Sequence, residues 1–233
     1  MFEQPFMMDY TSMNRNTSDW SDNFSTDNTS KTGTSITVTG GVLVWDADRL
    51  DDAASIDALG TTISETAWVN KFKFVVSNLT LNAGGQEIIV CVGFTDSDHS
   101  ERGETGQDGI VLWLDMYGPS TKKWGIGEAE NQCLGARGGC MFTHGGYTDL
   151  TTTLATGTYY VKLRRTSATL AKLALYSDAS YSTLTEEISI VITSGLNALR
   201  YWKVFQFNGT DSGVHTLNGN IDDAFLYNGV TDA

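Results

Sequence analysis

The stretch that decides the fold is residues 68–76, Trp-Val-Asn-Lys-Phe-Lys-Phe-Val-Val. Its largest apolar side chains share one parity, at Trp68, Phe72, Phe74 and Val76. Lys71 and Lys73 take the other parity, so an extended chain has one dry face and one wet face here. A half-buried strand of this kind is typical of an antiparallel sheet that packs on a second layer, and the stretch therefore predicts an all-β protein.

The same period-two pattern recurs along the chain in both directions. Tyr159, Val161 and Leu163 alternate with more polar neighbours within 159–164. Further strands are predicted at residues 35–45, 87–95, 109–117, 169–176, 187–193, 199–207 and 217–227. Only residues 51–59 suggest a helical turn. These strands suffice for two stacked sheets, so we predict a two-sheet antiparallel jelly-roll sandwich.

The 233 residues fit one large all-β domain, which we assign to residues 20–233. Residues 1–19 are polar, rich in methionine and without alternation, and we predict a short irregular N-terminal arm there. Two interpretations of the arm stay open. It is a frayed terminus, or its apolar residues pack onto a neighbouring subunit and make a homo-oligomer. The apolar residues of the arm are Phe2, Phe6, Met7, Met8 and Tyr10.

The charge balance restricts the partners. Fifteen basic residues against 28 acidic ones give a formal charge of −13. Such a surface repels phosphate, which argues against nucleic acid and against anionic membrane surfaces. No stretch is long and apolar enough to insert into a membrane. The first twenty residues do not match a secretory signal, and the expected location is extracellular, or the surface of a cell or virion.

Three cysteines prevent complete pairing within one chain. Cys91 lies in an apolar run and is predicted to be a buried, inert side chain. Cys133 and Cys140 flank a short glycine-rich loop, where a local disulfide is feasible.

Segments near the start, in the middle and at the end of the chain have a familiar composition. They are Trp20-Ser-Asp-Asn-Phe24 with Val38-Thr-Gly-Gly-Val-Leu43, Tyr159-Tyr-Val-Lys-Leu-Arg-Arg-Thr166 with Leu173-Ala-Leu-Tyr-Ser177, and the closing stretch Gly219-Asn-Ile-Asp-Asp-Ala-Phe-Leu-Tyr-Asn-Gly229. Together they resemble the concanavalin A-like lectin and glucanase superfamily, with its laminin G-like jelly-roll domains. The resemblance implies that residues 20–24 and 221–227 lie side by side in one sheet. It implies little about function, because the superfamily includes lectins, glycan-cleaving enzymes and viral or adhesive modules.

The closing strand also suggests a metal. Ile221, Asp223, Phe225 and Tyr227 are predicted to share one face, and Asp222, Ala224 and Leu226 the other. An aspartate that faces an apolar layer needs a partner, either a backbone amide at a strand edge or a cation. Members of the superfamily often hold a structural calcium ion near such a strand. The resemblance therefore implies Ca²⁺ ligands among Asp22, Asp27, Asp222 and Asp223.

An acidic stretch supplies the catalytic candidates. Asp96-Ser-Asp-His-Ser-Glu101 resembles the Glu-x-Asp-x-x-Glu motif of laminarinase-type glycoside hydrolases, except at its first position. Retaining hydrolysis needs two carboxyl groups about 5 Å apart on a rigid support. The stretch is predicted to be a loop, where a solvated acidic segment or a calcium loop is the alternative to a catalytic pair. Asp96, Asp98 and Glu101 are the catalytic candidates of this stretch. A lyase-type set of Arg137, His144 and Tyr147 stays open as an alternative, and the sequence favours a protein without enzymatic activity.

Sugar binding needs an aromatic platform and directional polar groups, and residues 113–147 contain both. Trp124 lies in a polar, glycine-bounded context and is predicted to be exposed, with an edge-covering role as the alternative. The other tryptophans with strand-like neighbours are predicted to be core. The candidate ligand-binding residues are Trp124, Asn131, Arg137, His144, Tyr147 and Asp115.

Three functional hypotheses follow from these observations. The first is a lectin-like module that binds a glycan or polysaccharide and is stabilised by calcium. The second is a structural or adhesive subunit of a virion, tail fibre or extracellular filament. The third is a glycan-cleaving enzyme, either a glycoside hydrolase or a polysaccharide lyase.

Overall fold

The computed structural model describes residues 18–27, 29–46, 53–81, 88–98, 107–117, 120–132, 146–192, 196–208 and 215–232. These residues form fifteen strands and no helix, which confirms the all-β prediction. The strands are β1 (Trp20–Asp22), β2 (Ser30–Thr32), β3 (Ile36–Thr39), β4 (Val42–Asp46), β5 (Ala53–Ala58), β6 (Trp68–Thr80), β7 (Ile88–Thr95), β8 (Gln107–Tyr117), β9 (Thr121–Gln132), β10 (Tyr147–Asp149), β11 (Gly157–Ser167), β12 (Leu170–Tyr176), β13 (Leu184–Val191), β14 (Tyr201–Asn208) and β15 (Thr216–Asn228).

The described strands pair into two antiparallel sheets. The first sheet has the order β13-β12-β11-β6-β15-β4-β3, with β1 paired to β15. The second has the order β10-β9-β8-β7-β14-β5-β2. The predicted two-sheet antiparallel sandwich is therefore confirmed. Within the described ranges, no helix has the length and apolar character needed to cross a membrane.

The core lies between the sheets and is rich in aromatic side chains. Trp45 stacks on Phe74 with ring centroids 4.8 Å apart. Trp68 of the first sheet meets Phe94 of the second edge to face, with centroids 4.9 Å apart. The alternation predicted for β6 thus places its apolar parity inside, where burial contributes about 25 cal/mol per Å² of apolar surface.

One buried amide connects the two sheets within this core. Asn70 of β6 is fully buried, and its Nδ2 donates to the Phe225 carbonyl at 2.9 Å. Its Oδ1 accepts a hydrogen bond from Nε1 of Trp202 in the second sheet at 3.3 Å. Both ends of the amide are satisfied, so its burial carries little penalty.

The opening and closing segments lie side by side. Trp20 is in register with Leu226 along β15, as the resemblance implied. The backbone amide of Asn228 donates to Asp19 Oδ2 at 2.7 Å. Most of the predicted arm lies outside the described residues, and the arm and its packing on a neighbouring subunit stay predictions.

A β-bulge at Asp223 changes which side chains of β15 face the core. Asp222 is opposite Lys73 and Phe225 is opposite Lys71, so two intervening residues of β15 face one residue of β6. Asp223 itself has a φ of 51°. From position 221 onward, the buried residues of this strand are Ile221, Ala224 and Leu226. The strict alternation predicted for the closing strand is therefore wrong, because the bulge shifts its parity.

Two segments differ from their predicted form. Residues 35–45 form a hairpin rather than one strand, because Gly40 and Gly41, with φ of 60° and 81°, make a two-residue turn between β3 and β4. The helical turn predicted over residues 51–59 is wrong, because β5 occupies positions 53–58 and pairs with β14. Its alternation was hidden by alanine and serine, whose small side chains give little contrast between faces.

Candidate functional site

The outer face of the second sheet collects aromatic and charged side chains near its β10 edge. Asp149 of β10 is in register with Gly125 of β9, and Gly125 with Trp113 of β8. In the next row, Asp115 is in register with Lys123. Residues opposite one another share a face. We define the Tyr147 face by Trp113, Asp115, Lys123, Tyr147 and Asp149.

Two aromatic rings form the apolar part of this face. Tyr147 is 56% exposed, and its ring meets the buried Trp113 edge to face, with centroids 6.2 Å apart. Trp113 packs in a small apolar cluster that is separate from the core between the sheets, so the prediction of Trp113 as ordinary core is only partly right. The tyrosine thus stands on a rigid base while most of its own ring faces solvent.

Charged groups surround the exposed ring. Lys123 Nζ lies 3.2 Å from Asp149 Oδ2. This hydrogen bond, the charge of Asp149 and smaller contributions from Tyr147 and Asp115 raise the pKa of Lys123. Asp149 Oδ1 is buried and accepts no hydrogen bond from the described residues. The face therefore offers a cation and several carboxylate oxygens close to an exposed aromatic ring.

Glycine permits the close packing behind this face. A Cβ at Gly125 would lie 2.0 Å from the Thr148 carbonyl oxygen and 3.0 Å from Asp149 Cα. No side chain larger than hydrogen fits there unless β10 moves away. The sequence showed residues 122–127 only as a polar, glycine-bounded context, whereas in the structure Gly125 lets β10 approach β9.

Trp124 supports the site from inside. It is only 1% exposed, and its Nε1 donates to the Thr152 carbonyl at 2.6 Å. Its ring also packs edge to face on Tyr159, with centroids 4.7 Å apart. The predicted exposure of Trp124 is wrong, because β9 is a strand that directs the parity of Trp124 toward the core.

The remaining predicted ligand-binding residues are placed unevenly. Asp115 and Tyr147 lie together on the Tyr147 face, as described above. Asn131 lies in β9, but its side chain is outside the described part, and Arg137 and His144 are in the undescribed range 133–145, with Cys133 and Cys140. Sequence reasoning missed Lys123 and Asp149. The available signal for Lys123 was its parity: in a strand it lies on the same face as Gly125.

A second candidate site is an acidic cleft where β1 meets the bulge of β15. Its volume is about 410 Å³. It is lined by Ser21, Asp22, Asn23, Thr26, Asp223 and Phe225. Two of the four predicted calcium ligands, Asp22 and Asp223, thus share one cleft.

Asp22 is the most constrained group in this cleft. Its Oδ1 accepts a hydrogen bond from the Phe24 amide at 2.6 Å, whereas its Oδ2 is buried and accepts none from the described residues. Burial raises the pKa of Asp22, against the lowering effect of the Phe24 hydrogen bond, and the charge of Asp27 raises it further. A cation in the cleft would relieve this unfavourable environment.

The other two predicted ligands are less well placed. Asp222 forms an ion pair with Lys73, with Oδ2 and Nζ 3.0 Å apart, so the expectation that one of these two aspartates has a partner is confirmed. Asp27 accepts a hydrogen bond from Thr29 Oγ1 at 3.3 Å. Among the described residues, no three acidic, histidine or cysteine side chains converge as a metal-binding group. The cleft fits a hard cation only if neutral oxygens complete the ligand shell.

The catalytic candidates have structural contacts. Asp96 Oδ1 accepts a hydrogen bond from the Asp108 amide at 2.9 Å, which connects the end of β7 to the start of β8. Asp98 is exposed beyond β7, and Glu101 lies outside the described residues. Asp96 and Asp98 follow the strand rather than lie on it, so the structure does not give them a strand's rigid spacing.

Cys91 is fully buried. Burial, with a smaller contribution from the charge of Asp115, raises the pKa of its thiol well above the usual value. This confirms the prediction of a buried side chain and is the property of an inert thiol.

No protein-family model and no curated protein sequence matches this chain. Solved structures are similar to it. The CBM2 module of the evolved Dit of Lactobacillus casei BL23 phage J-1 has a TM-score of 0.56 at 8% identity, over 93% of this chain and 97% of that chain. The carbohydrate recognition domain of Emp47p has a TM-score of 0.55 at 14% identity, over 92% and 97%.

The exoplasmic/lumenal domain of VIP36, in a Ca²⁺/Man3GlcNAc-bound form, has a TM-score of 0.55 at 13% identity and covers 88% of this chain and 85% of that chain. At such low identity these similarities concern the fold alone. They establish that the chain has the concanavalin A-like jelly-roll fold.

Proposed function

We propose that this concanavalin A-like jelly roll is a lectin-like carbohydrate-binding module and that the Tyr147 face is its glycan site. The observation behind the proposal is the setting of Tyr147, an exposed ring held by Trp113 beside the Lys123–Asp149 ion pair. An aromatic ring contacts the apolar face of a pyranose, while adjacent charged groups form hydrogen bonds with its hydroxyls.

The ligand class is supported by what the similar structures are. Two of them are a carbohydrate recognition domain and a domain bound to Ca²⁺ and Man3GlcNAc. A shared fold does not fix function. The choice of a glycan therefore depends equally on the chemistry of the Tyr147 face.

We also propose an extracellular or surface context, on a cell or a virion. The similar VIP36 domain is exoplasmic or lumenal, and another similar structure is a phage module. The phage module also favours the second hypothesis, that of an adhesive subunit of a virion or tail fibre, because a glycan-binding face is what such a subunit would use for attachment.

Calcium in the acidic cleft is a further part of the proposal. Asp22 and Asp223 would provide two carboxylates, and Ser21, Asn23 and Thr26, which have oxygen-bearing side chains, line the same space. Calcium accepts six to eight oxygen ligands with flexible geometry, including neutral oxygens and water. A cation there would connect β1 to the bulge of β15.

A glycan array with neutral and acidic members tests the glycan site. The best-bound glycan is then titrated against Tyr147→Ala, Tyr147→Phe and the control Leu184→Ala. We expect Tyr147→Ala to weaken binding about fivefold, because a stacked ring contributes about 1 kcal/mol. Tyr147→Phe keeps the ring and should retain most of the affinity.

Leu184 is a suitable control because it is exposed on β13 of the first sheet, away from the Tyr147 face. Its substitution should leave the affinity unchanged. The proposal is wrong if the wild-type protein binds no array member with calcium or with chelator. It is also wrong if Tyr147→Ala binds the selected glycan as tightly as wild type does.

A further inference from the structure

The outer face of the first sheet concentrates positive charge on an acidic protein. Lys162 of β11 is in register with Lys71 of β6, and Arg164 of β11 with Lys172 of β12. We define the basic strip as Lys71, Lys73, Lys162, Arg164 and Lys172. The whole chain has only 15 basic residues, so their gathering on three neighbouring strands requires an explanation.

Tyrosine rings are interleaved with these cations. Lys71 Nζ lies 5.0 Å from the ring centroid of Tyr181 and 5.4 Å from that of Tyr227. Lys162 Nζ lies 5.4 Å from the centroid of Tyr176. Aromatic faces next to ammonium groups provide apolar platforms and stabilise positive charge.

Part of the basic strip is neutralised by residues within the sheet. Lys73 pairs with Asp222. Glu187 of β13 pairs with both Arg164 and Lys172. Burial alone would raise the pKa of Glu187, but the hydrogen bond from Lys172 and the charge of Arg164 lower it. These ion pairs join strands of the same sheet, so we interpret them as structural.

The counter-ion of Lys162 has a different origin. The side chain of Lys162 is only 6% exposed, and its Nζ lies 2.8 Å from Asp232 Oδ1. The same oxygen lies 3.2 Å from Arg164 Nη1. A buried ammonium needs such a partner, yet the Asp232 side chain is 69% exposed and lies beyond the end of β15.

Asp232 therefore has the position of an exchangeable group. The backbone after β15 is held at Gly229, whose amide donates to the Ala67 carbonyl at 2.9 Å, and Asp232 follows three residues later. The Asp232 side chain is exposed and lies outside the strands, so it can leave the basic strip without breaking a strand pair. A carboxylate from another molecule can then take its place between the same two cations.

Lys71 indicates that the basic strip can accept additional negative charge. Burial lowers the pKa of Lys71, and repulsion from the facing Lys162 lowers it further, against a smaller opposite effect of Asp232. Two ammonium groups thus face each other across β6 and β11 beside tyrosine rings. An anion between them would offset this repulsion.

We propose that the basic strip is a second binding site, for a sugar that bears a carboxylate, and that Asp232 occupies the position of the ligand's acid group. A uronic acid matches the surface because its carboxylate is attached directly to a pyranose ring. The acid group would meet Lys162 and Arg164, and the ring would lie on the tyrosines that flank Lys71. This site is on the opposite sheet from the Tyr147 face and does not depend on it.

Isothermal titration calorimetry with a short oligogalacturonate tests the proposal. The matched neutral ligand is the methyl ester of the same oligomer. We expect Asp232→Asn to tighten oligogalacturonate binding at least fivefold, because removal of an internal competitor raises the fraction of competent sites. Arg164→Gln and Lys71→Gln should each weaken binding, and the methyl ester should bind poorly.

Asp98→Asn is the charge-matched control, since it removes one exposed carboxylate at the end of β7 in the second sheet. It should leave the affinity unchanged. The proposal fails if folded Asp232→Asn binds oligogalacturonate no more tightly than wild type does. It also fails if the methyl ester, or an acidic peptide such as oligoglutamate, binds better than oligogalacturonate.

Discussion

At the scale of single residues, Glu186 shows how one carboxylate positions the loop behind the Tyr147 face. Its Oε1 accepts hydrogen bonds from the Thr151 amide at 2.7 Å and the Thr151 hydroxyl at 2.9 Å. Its Oε2 accepts from the Thr152 amide at 2.8 Å. The Thr152 carbonyl in turn accepts the hydrogen bond from Nε1 of Trp124. A single side chain of the first sheet thus fixes the segment that leaves β10.

These contacts make the free energy of unfolding depend on pH in the acidic range. Burial alone would raise the pKa of Glu186, but the hydrogen bonds from Thr152 and Thr151 lower it from 4.5 to about 2. A lowered folded-state pKa contributes stability that is complete above 4.5 and is lost as the pH falls through about 2.

We expect Glu186→Gln to lower the free energy of unfolding by about 1 kcal/mol at neutral pH. The difference from wild type should shrink as the pH falls from about 5 toward 2, because the wild-type carboxylate is then protonated as well. Urea unfolding at several pH values measures it. Glu65→Gln, at an exposed position, is the control, and a difference for Glu186→Gln that is constant with pH would contradict the explanation.

At the scale of strands, the pairing of β9 with β10 depends on Gly125. Replacement of a glycine by alanine usually stabilises a protein slightly where the backbone is compatible. At Gly125 the added Cβ would collide with the Thr148 carbonyl. β10, and with it Tyr147, would have to move.

We expect Gly125→Ala to lower the free energy of unfolding by about 2 kcal/mol or more and to weaken glycan binding. Gly60→Ala is the control: its Cβ would meet nothing within 4 Å, so only the strain of its positive φ of 73° remains, at about 1 kcal/mol. Urea unfolding and glycan titration of both variants provide the comparison. An equal loss of stability in the two would show that the approach of β10 to β9 is unimportant.

The strands that sequence patterns identified and those they missed differ in one physical respect. β6 and β11 alternate large apolar residues with lysine, arginine or tyrosine, so their faces are evident from local composition. β9 contains glycines and β5 small residues, and both become strands through pairing with distant partners. Local propensity does not contain that information.

The residues of the candidate site show the same contrast between local signals and distant pairing. Asp115 and Tyr147 were identified because they lie near aromatic and polar neighbours along the chain. Trp124 was misassigned because its face depends on whether residues 121–132 form a strand. Asp22 and Asp223 were among the four calcium candidates only through the resemblance. Nothing in the sequence paired these two, since the bulge that places Asp223 in the cleft has no clear signal there.

At the scale of the whole molecule, calcium in the acidic cleft would join the opening strand to the closing one. A ligand that binds only the folded state stabilises it by about 2.7 kcal/mol at one hundred times its Kd. We therefore expect millimolar Ca²⁺ to raise the Tm and a chelator to reverse the effect. Asp22→Asn and Asp223→Asn should each abolish the dependence on calcium.

Asp98→Asn serves as the control because it removes an equal charge from an exposed position just after β7. It should keep the calcium-dependent rise in Tm. Differential scanning calorimetry of the four proteins measures these effects. A wild-type Tm that is the same with calcium and with chelator would remove calcium from the proposed function.

The contact of Asp19 with Asn228 has a consequence for protein architecture. The polypeptide enters and leaves the sandwich at adjacent points, where one hydrogen bond of 2.7 Å joins the two segments. A unit of this geometry can be inserted into a surface loop of a larger host without forcing the two flanks of that loop apart. The Tyr147 face and the basic strip would then lie on the two different sheets of the inserted unit.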